Sequence, residues 1–107
     1  MKLNDIFTFN EIQVMKKIIA MSIEDDLIFP NWEFSILIGI NLDEAQSILD
    51  KWPDINFTEE NVALMVNNIL ANLMGYPHGQ DAYILSETGL NSDDILHLFN
   101  KFREKIY

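Results

Sequence analysis

Proton transfer, nucleophilic attack and metal capture need side chains that converge, and this 107-residue sequence offers 2 histidines, 17 carboxylates and no cysteine for them. His78 and His97 lie far apart in the chain. The neighbouring acids Asp25-Asp26 and Asp93-Asp94 send their side chains in different directions rather than toward one reacting centre. No His-Glu-x-x-His pair, EF-hand spacing, glycine-rich phosphate loop or Gly-x-Ser-x-Gly elbow occurs. Without thiols, disulfides and thiolate zinc sites are excluded. The expectation is therefore a non-enzyme with no catalytic residues, no metal site and no cofactor. A carboxylate pair that meets only in the folded chain, as in a small enzyme or ligand-binding domain, is the alternative that spacing leaves open.

What the acids do together is more informative. Seventeen acids against 7 lysines and arginines give a formal charge of −10. Such a surface repels nucleic acid and anionic membranes and attracts basic proteins. Solubility alone also accounts for an acidic balance. The first residues, MKLNDIFTFNE, lack the basic start and apolar stretch of a secretory signal, and no apolar run is long enough to span a bilayer, so a cytoplasmic protein is expected.

The elements that would position these groups are helices. Half the residues are hydrophobic, glycine and proline number 4 and 3, and no alternating apolar run stands out. Thr8 followed by Glu11 reads as a capping box opening a helix over roughly 9–22. Asn31 starts a short helix that Gly39 stops, and Asn41 with Glu44 caps the next, which Trp52-Pro53 closes. Thr58 is expected to cap the longest helix, roughly 59–74, with a stripe of Val62, Met65, Val66, Ile69 and Leu73 that Ala63, Leu70 and Met74 widen. A short segment near 80–88 leads to Gly89, and Asn91 or Ser92 caps a last helix over roughly 92–106.

The fold class expected is all-α, a compact bundle of five to six helices in a single domain over residues 1–107. The order of parts in residues 7–52 repeats in 57–102, and GINLDEAQSILDKW (Gly39–Trp52) matches GLNSDDILHLFNKF (Gly89–Phe102) at Gly, Asn, Asp and Lys. Two pseudo-repeated three-helix halves packed face to face follow from a duplication. Two hairpins obeying the same capping rules give the same pattern.

A glycine turn feeding an amphipathic helix is also the frame of a DNA-reading helix-turn-helix. Here, however, the base-reading positions would be Asn41, Asp43, Glu44 and Ser47, or Asn91, Asp93, Asp94 and His97, with only Lys51 and Lys101 near phosphates. Acids at a helix start complement its dipole instead. The candidate surface lies among the acids that no helix start explains: Glu24, Asp25, Asp26 and Glu33 around the first loop, Asp54 after the Trp52-Pro53 stop, and Asp81 and Glu87 after GYPHG. Trp32 and Tyr76 would supply aromatic anchors, and His78 would sit at a loop tip. Against this stands a solvated acidic rim, with Tyr76 packed back on its helix and His78 capping a carbonyl.

The stretch NNILANLMGYPHG (Asn67–Gly79), in a small acidic chain, is similar to the immunity proteins that accompany bacterial polymorphic toxins, including contact-dependent growth inhibition systems. That resemblance implies a non-enzymatic inhibitor, monomeric when free, whose partner is a cognate toxin domain. Such a domain is often a basic nuclease, and the inhibitor occludes its active site. The second expectation is a helix-turn-helix-like regulatory or adaptor protein that lost DNA contact and acts through protein–protein contacts.

Overall fold

Helix α1 (Phe9–Glu24) begins where Thr8 Oγ1 accepts the Glu11 N–H at 3.2 Å and Glu11 Oε1 accepts the Thr8 N–H at 2.9 Å. The computed structural model describes residues 1–107 and contains five more helices: α2 (Asn31–Ile38), α3 (Leu42–Asp50), α4 (Glu60–Gly75), α5 (Asp81–Thr88) and α6 (Ser92–Ile106). There is no strand; a 3-10 turn at Leu3–Asp5 and a single bridge between Lys2 and Asn56 complete the regular structure. No helix is long and apolar enough to cross a membrane.

Local capping follows the sequence closely, with instructive exceptions. Gly39 and Gly89 end α2 and α5 at φ 93° and 76°, the left-handed region that side chains with a Cβ avoid. Asn91 and Asp94 form a full box on α6, whereas Asn41 makes only half of one. The Glu44 carboxylate instead accepts a hydrogen bond from Asn61 on α4. Thr58 does not cap α4. Asn56 Oδ1 accepts both its N–H (3.1 Å) and its hydroxyl (3.0 Å), so the helix starts one residue late, after Glu59, without a side-chain cap. Met74, expected in the apolar stripe, is 36% exposed.

Thirty-one buried hydrophobic residues form one contiguous core. Helices α1 and α4 touch at its centre; α3 and α5 pack on α1, while α6 and α2 pack on α4. A shift of 50 residues turns α1 into α4, α2 into α5 and α3 into α6, and these pairings then map onto one another. The halves are therefore interleaved rather than stacked face to face, because each short helix packs on the long helix of the other half. Buried positions keep the same register: Phe7 and Phe57, Met15 and Met65, Ile19 and Ile69, Phe34 and Ile84, Trp52 and Phe102. The register holds through the short helices, where sequence overlay fails. Thr88 replaces an apolar residue in this scheme and stays satisfied, donating to Ile84 O at 2.7 Å and accepting from the Leu90 N–H at 3.1 Å.

Glu11 ties α1 to α6. Its carboxylate, 18% exposed, accepts a charged hydrogen bond from Lys101, and His97 Nε2 lies 3.4 Å from its other oxygen. Desolvation pushes the carboxyl upward, but the Lys101 hydrogen bond and charge and the Thr8 contacts outweigh it, holding the group below the usual carboxylate value. A depressed pKa gives stability that is present above the unfolded value of about 4.5 and lost as pH falls through the folded one. Glu11→Gln is accordingly expected to cost about 1 kcal/mol near neutrality. Urea midpoints of the two proteins should converge as pH drops from 5 toward 3; a gap that persists unchanged in acid contradicts this role.

Candidate functional site

The C-terminal ends of α1 and α4 and the N-terminal ends of α2 and α5 meet at one end of the molecule; α1, α2 and α5 bring acids to it, and α4 brings Tyr76. Asp25, at the end of α1, accepts the Leu27 N–H on Oδ1 (3.0 Å) and the Tyr83 hydroxyl of α5 on Oδ2 (2.7 Å). Asp26 Oδ1 accepts the Asn31 N–H at 2.8 Å and so starts α2. One turn into α2, Glu33 accepts the Tyr76 hydroxyl at 2.6 Å. The two loops are stitched through Phe29, which is buried with Tyr76 edge-on at 5.8 Å and His78 at 6.4 Å.

The tyrosines act as clamps. The hydrogen bond to Glu33, then burial and the Glu33 charge, push the Tyr76 phenol above its ordinary 10. For Tyr83 the causes are the bond to Asp25, burial, and the charges of Asp25 and Glu87. Both phenols thus stay protonated as donors, and each holds one carboxylate in place.

Residues 24–33 and 76–87 together carry six acids (Glu24, Asp25, Asp26, Glu33, Asp81, Glu87) and no lysine or arginine. Helix α1, sixteen residues long and hence roughly 24 Å from end to end, separates this cluster from the opposite pole. There Lys2 pairs with Asp54 at 3.2 Å, and Lys101 pairs with Glu11. No family model, curated protein or solved structure matches this chain. What the acidic end can do follows from its charge and shape.

Of the expected site residues, the structure brings together Glu24, Asp25, Asp26, Trp32, Glu33, Tyr76, Asp81 and Glu87. Asp54 does not join them, because the turn after Pro53 lies at the start of α1. His78 is at the right end but faces inward, with a side chain only 3% exposed. The Gln80 N–H donates to its Nδ1 at 2.9 Å and Leu73 O lies 2.8 Å from its Nε2, a pattern that assigns the Nε2–H tautomer. His78 is a brace that closes α4, and Asp81 stands 4.0 Å away.

The other segment residues singled out by resemblance are braces too: Asn68 donates to Ile38 O (2.8 Å) and Asn72 to Leu37 O (3.2 Å), satisfying the carbonyl end of α2. Sequence reasoning missed Tyr83, whose partner lies 58 residues away. It also missed Ile36, which is 78% exposed one turn after Trp32, itself 75% exposed. The four-residue spacing of those two was the available signal, since it gives α2 a second apolar face opposite Phe34 and Ile38, and the fold buries only one.

Elsewhere the surface offers a depression of about 400 Å³ between α3 and the start of α4, lined by Glu44, Ser47, Lys51 and Glu59–Asn61 among others. No group of three or more histidines and acids is gathered as a metal ion would need. The acids at the repeated turn, Asp43 and Asp93, are exposed in the first turns of α3 and α6, where they complement the helix dipoles.

Proposed function

We propose that this chain is an acidic protein-binding module that captures a basic partner, acting as an immunity protein that covers the active-site cleft of a toxin nuclease domain. The observation that carries the reading is the acidic cluster at one end, six acids without a base in residues 24–33 and 76–87, whereas the lysines Lys2 and Lys101 at the other end are each paired with an acid. A nuclease cleft is positive because it holds a polyanion, so carboxylates at fixed positions compete for it and are steered to it. Anchoring by Tyr76 and Tyr83 supports this, because a carboxylate already held in place loses little freedom on meeting its partner. The similarity of Asn67–Gly79 to immunity proteins agrees with it.

The test is co-expression with the protein encoded beside this gene. Suppressed toxicity and co-purification are expected, with association that slows by roughly tenfold as ionic strength rises tenfold. The triple variant Asp25→Asn, Asp26→Asn, Glu33→Gln should slow association further at low salt. Association indifferent to salt removes the electrostatic mechanism.

A further inference from the structure

We propose that the outer face of α2, made by Trp32 and Ile36, is the apolar anchor of this docking end, and that the basic partner protein closes over it. The inference rests on the functional reading above and adds where the partner grips. Trp32 and Ile36 sit one turn apart on the same side of α2, 75% and 78% exposed, while Phe34 and Ile38 fill the opposite side at 0%. The helix therefore carries two apolar faces and the fold uses one.

The internal repeat supplies the control. Helix α5 plays the part of α2 in the other half, packing on α1 as α2 packs on α4. Fifty positions after Trp32 and Ile36 it carries Ala82 and Ser86, both exposed. The same architectural position is thus met without a large apolar side chain, so folding does not require the pair on α2. An exposed tryptophan beside an exposed isoleucine is what interfaces use as a buried centre.

The surroundings choose the occupant. Asp26 starts the helix, Glu33 follows Trp32, and Asp43 lies across a shallow depression from Asn31 and Ser35. No lysine or arginine occurs from residue 18 to residue 50. A second copy of the chain would bring another −10 to this face, and an anionic membrane would be repelled in the same way. A basic protein surface with an apolar patch is the complementary shape. In this arrangement the carboxylates govern how fast the partner arrives, and Trp32 and Ile36 govern how long it stays.

The test writes α5 into α2: the double variant Trp32→Ala, Ile36→Ser, measured by biolayer interferometry against the purified neighbouring-gene product. Dissociation is expected to accelerate at least tenfold while the association rate changes less than threefold; the charge-neutralised triple variant should show the reverse. Both substitutions are at exposed sites, and an unchanged melting curve checks the fold. As an independent readout, acrylamide should quench Trp32 in the free protein and lose access in the complex, with buried Trp52 as the internal reference. A salt-sensitive complex that the double variant leaves intact overturns the anchor and spares the functional reading. Failure to form any complex overturns both. Self-association in the ultracentrifuge that the double variant abolishes assigns the face to a second copy and overturns the basic partner.

Discussion

Phe34→Ala is expected to cost about 3–5 kcal/mol, a large part of the roughly 5–15 kcal/mol that holds a domain together. Phe34 is fully buried on the inner face of α2, and α2 packs on α4, which belongs to the other half. Truncation leaves a cavity at the seam between halves, where interdigitated helices have little room to collapse. The informative comparison is Trp32→Ala, two residues earlier on the same helix. That change removes a larger ring and should move stability by no more than about 0.5 kcal/mol, because the ring is already in water. Urea denaturation followed by circular dichroism measures both. A loss below about 1 kcal/mol for Phe34→Ala would mean that α2 is not the bridge its contacts describe.

Cutting the chain between Asp54 and Ile55 should have a still larger effect. Each fragment keeps a long helix, a short helix and a third helix, so each retains the capping signals and the local apolar pattern. Neither retains the surface that buries its short helix: α2 needs α4, and α5 needs α1. Pieces of about fifty residues are already marginal in the area they can bury. Without a cross-link, each fragment alone is expected to show weak helicity and no cooperative melting. Mixed in equal amounts, the two should regain the circular dichroism spectrum and melting transition of the intact chain. A fragment that melts cooperatively by itself contradicts the interleaved packing.

These expectations show which parts of the fold were legible beforehand. Helix ends are short-range events, so Thr8 with Glu11, Asn91 with Asp94, and the glycines at 39 and 89 could be read directly. Thr58 looked like an equally good cap. Its hydroxyl and N–H went to Asn56, which also accepts from the N-terminal ammonium at 3.1 Å, a competition that depends on where the chain start folds back. The 50-residue register was visible in Gly39–Trp52 and Gly89–Phe102. Interleaving was not, because pattern alone shows which face of a helix is buried and not which helix buries it.

The candidate site divides in the same way. Composition found Asp25, Asp26, Glu33 and Asp81, since an excess of acids is a property of the sequence itself, but Glu33 and Asp81, read as acids that no helix start explains, lie in the first turns of α2 and α5. The hydroxyls of Tyr76 and Tyr83 reach their carboxylates across 43 and 58 residues, and only the folded chain brings them together. Asp54 was misplaced because its turn follows a helix of the right kind at the wrong end. His78, at a glycine-flanked loop, left two readings open, an exposed tip or a cap on a carbonyl, and the fold takes the second. The carbonyl of Leu73 and the amide of Gln80 give it an internal task.

The interleaved halves also bear on stoichiometry. In a symmetric dimer of half-length chains, any side chain placed on the outside appears twice, and a partner would meet two equivalent grips. Here both halves belong to one covalent chain, so Trp32 and Ile36 occur on α2 while Ala82 and Ser86 occupy the matching places on α5. A repeated core thereby carries an unrepeated pair on its exterior, and on the reading proposed above a partner would meet one Trp32–Ile36 grip per molecule.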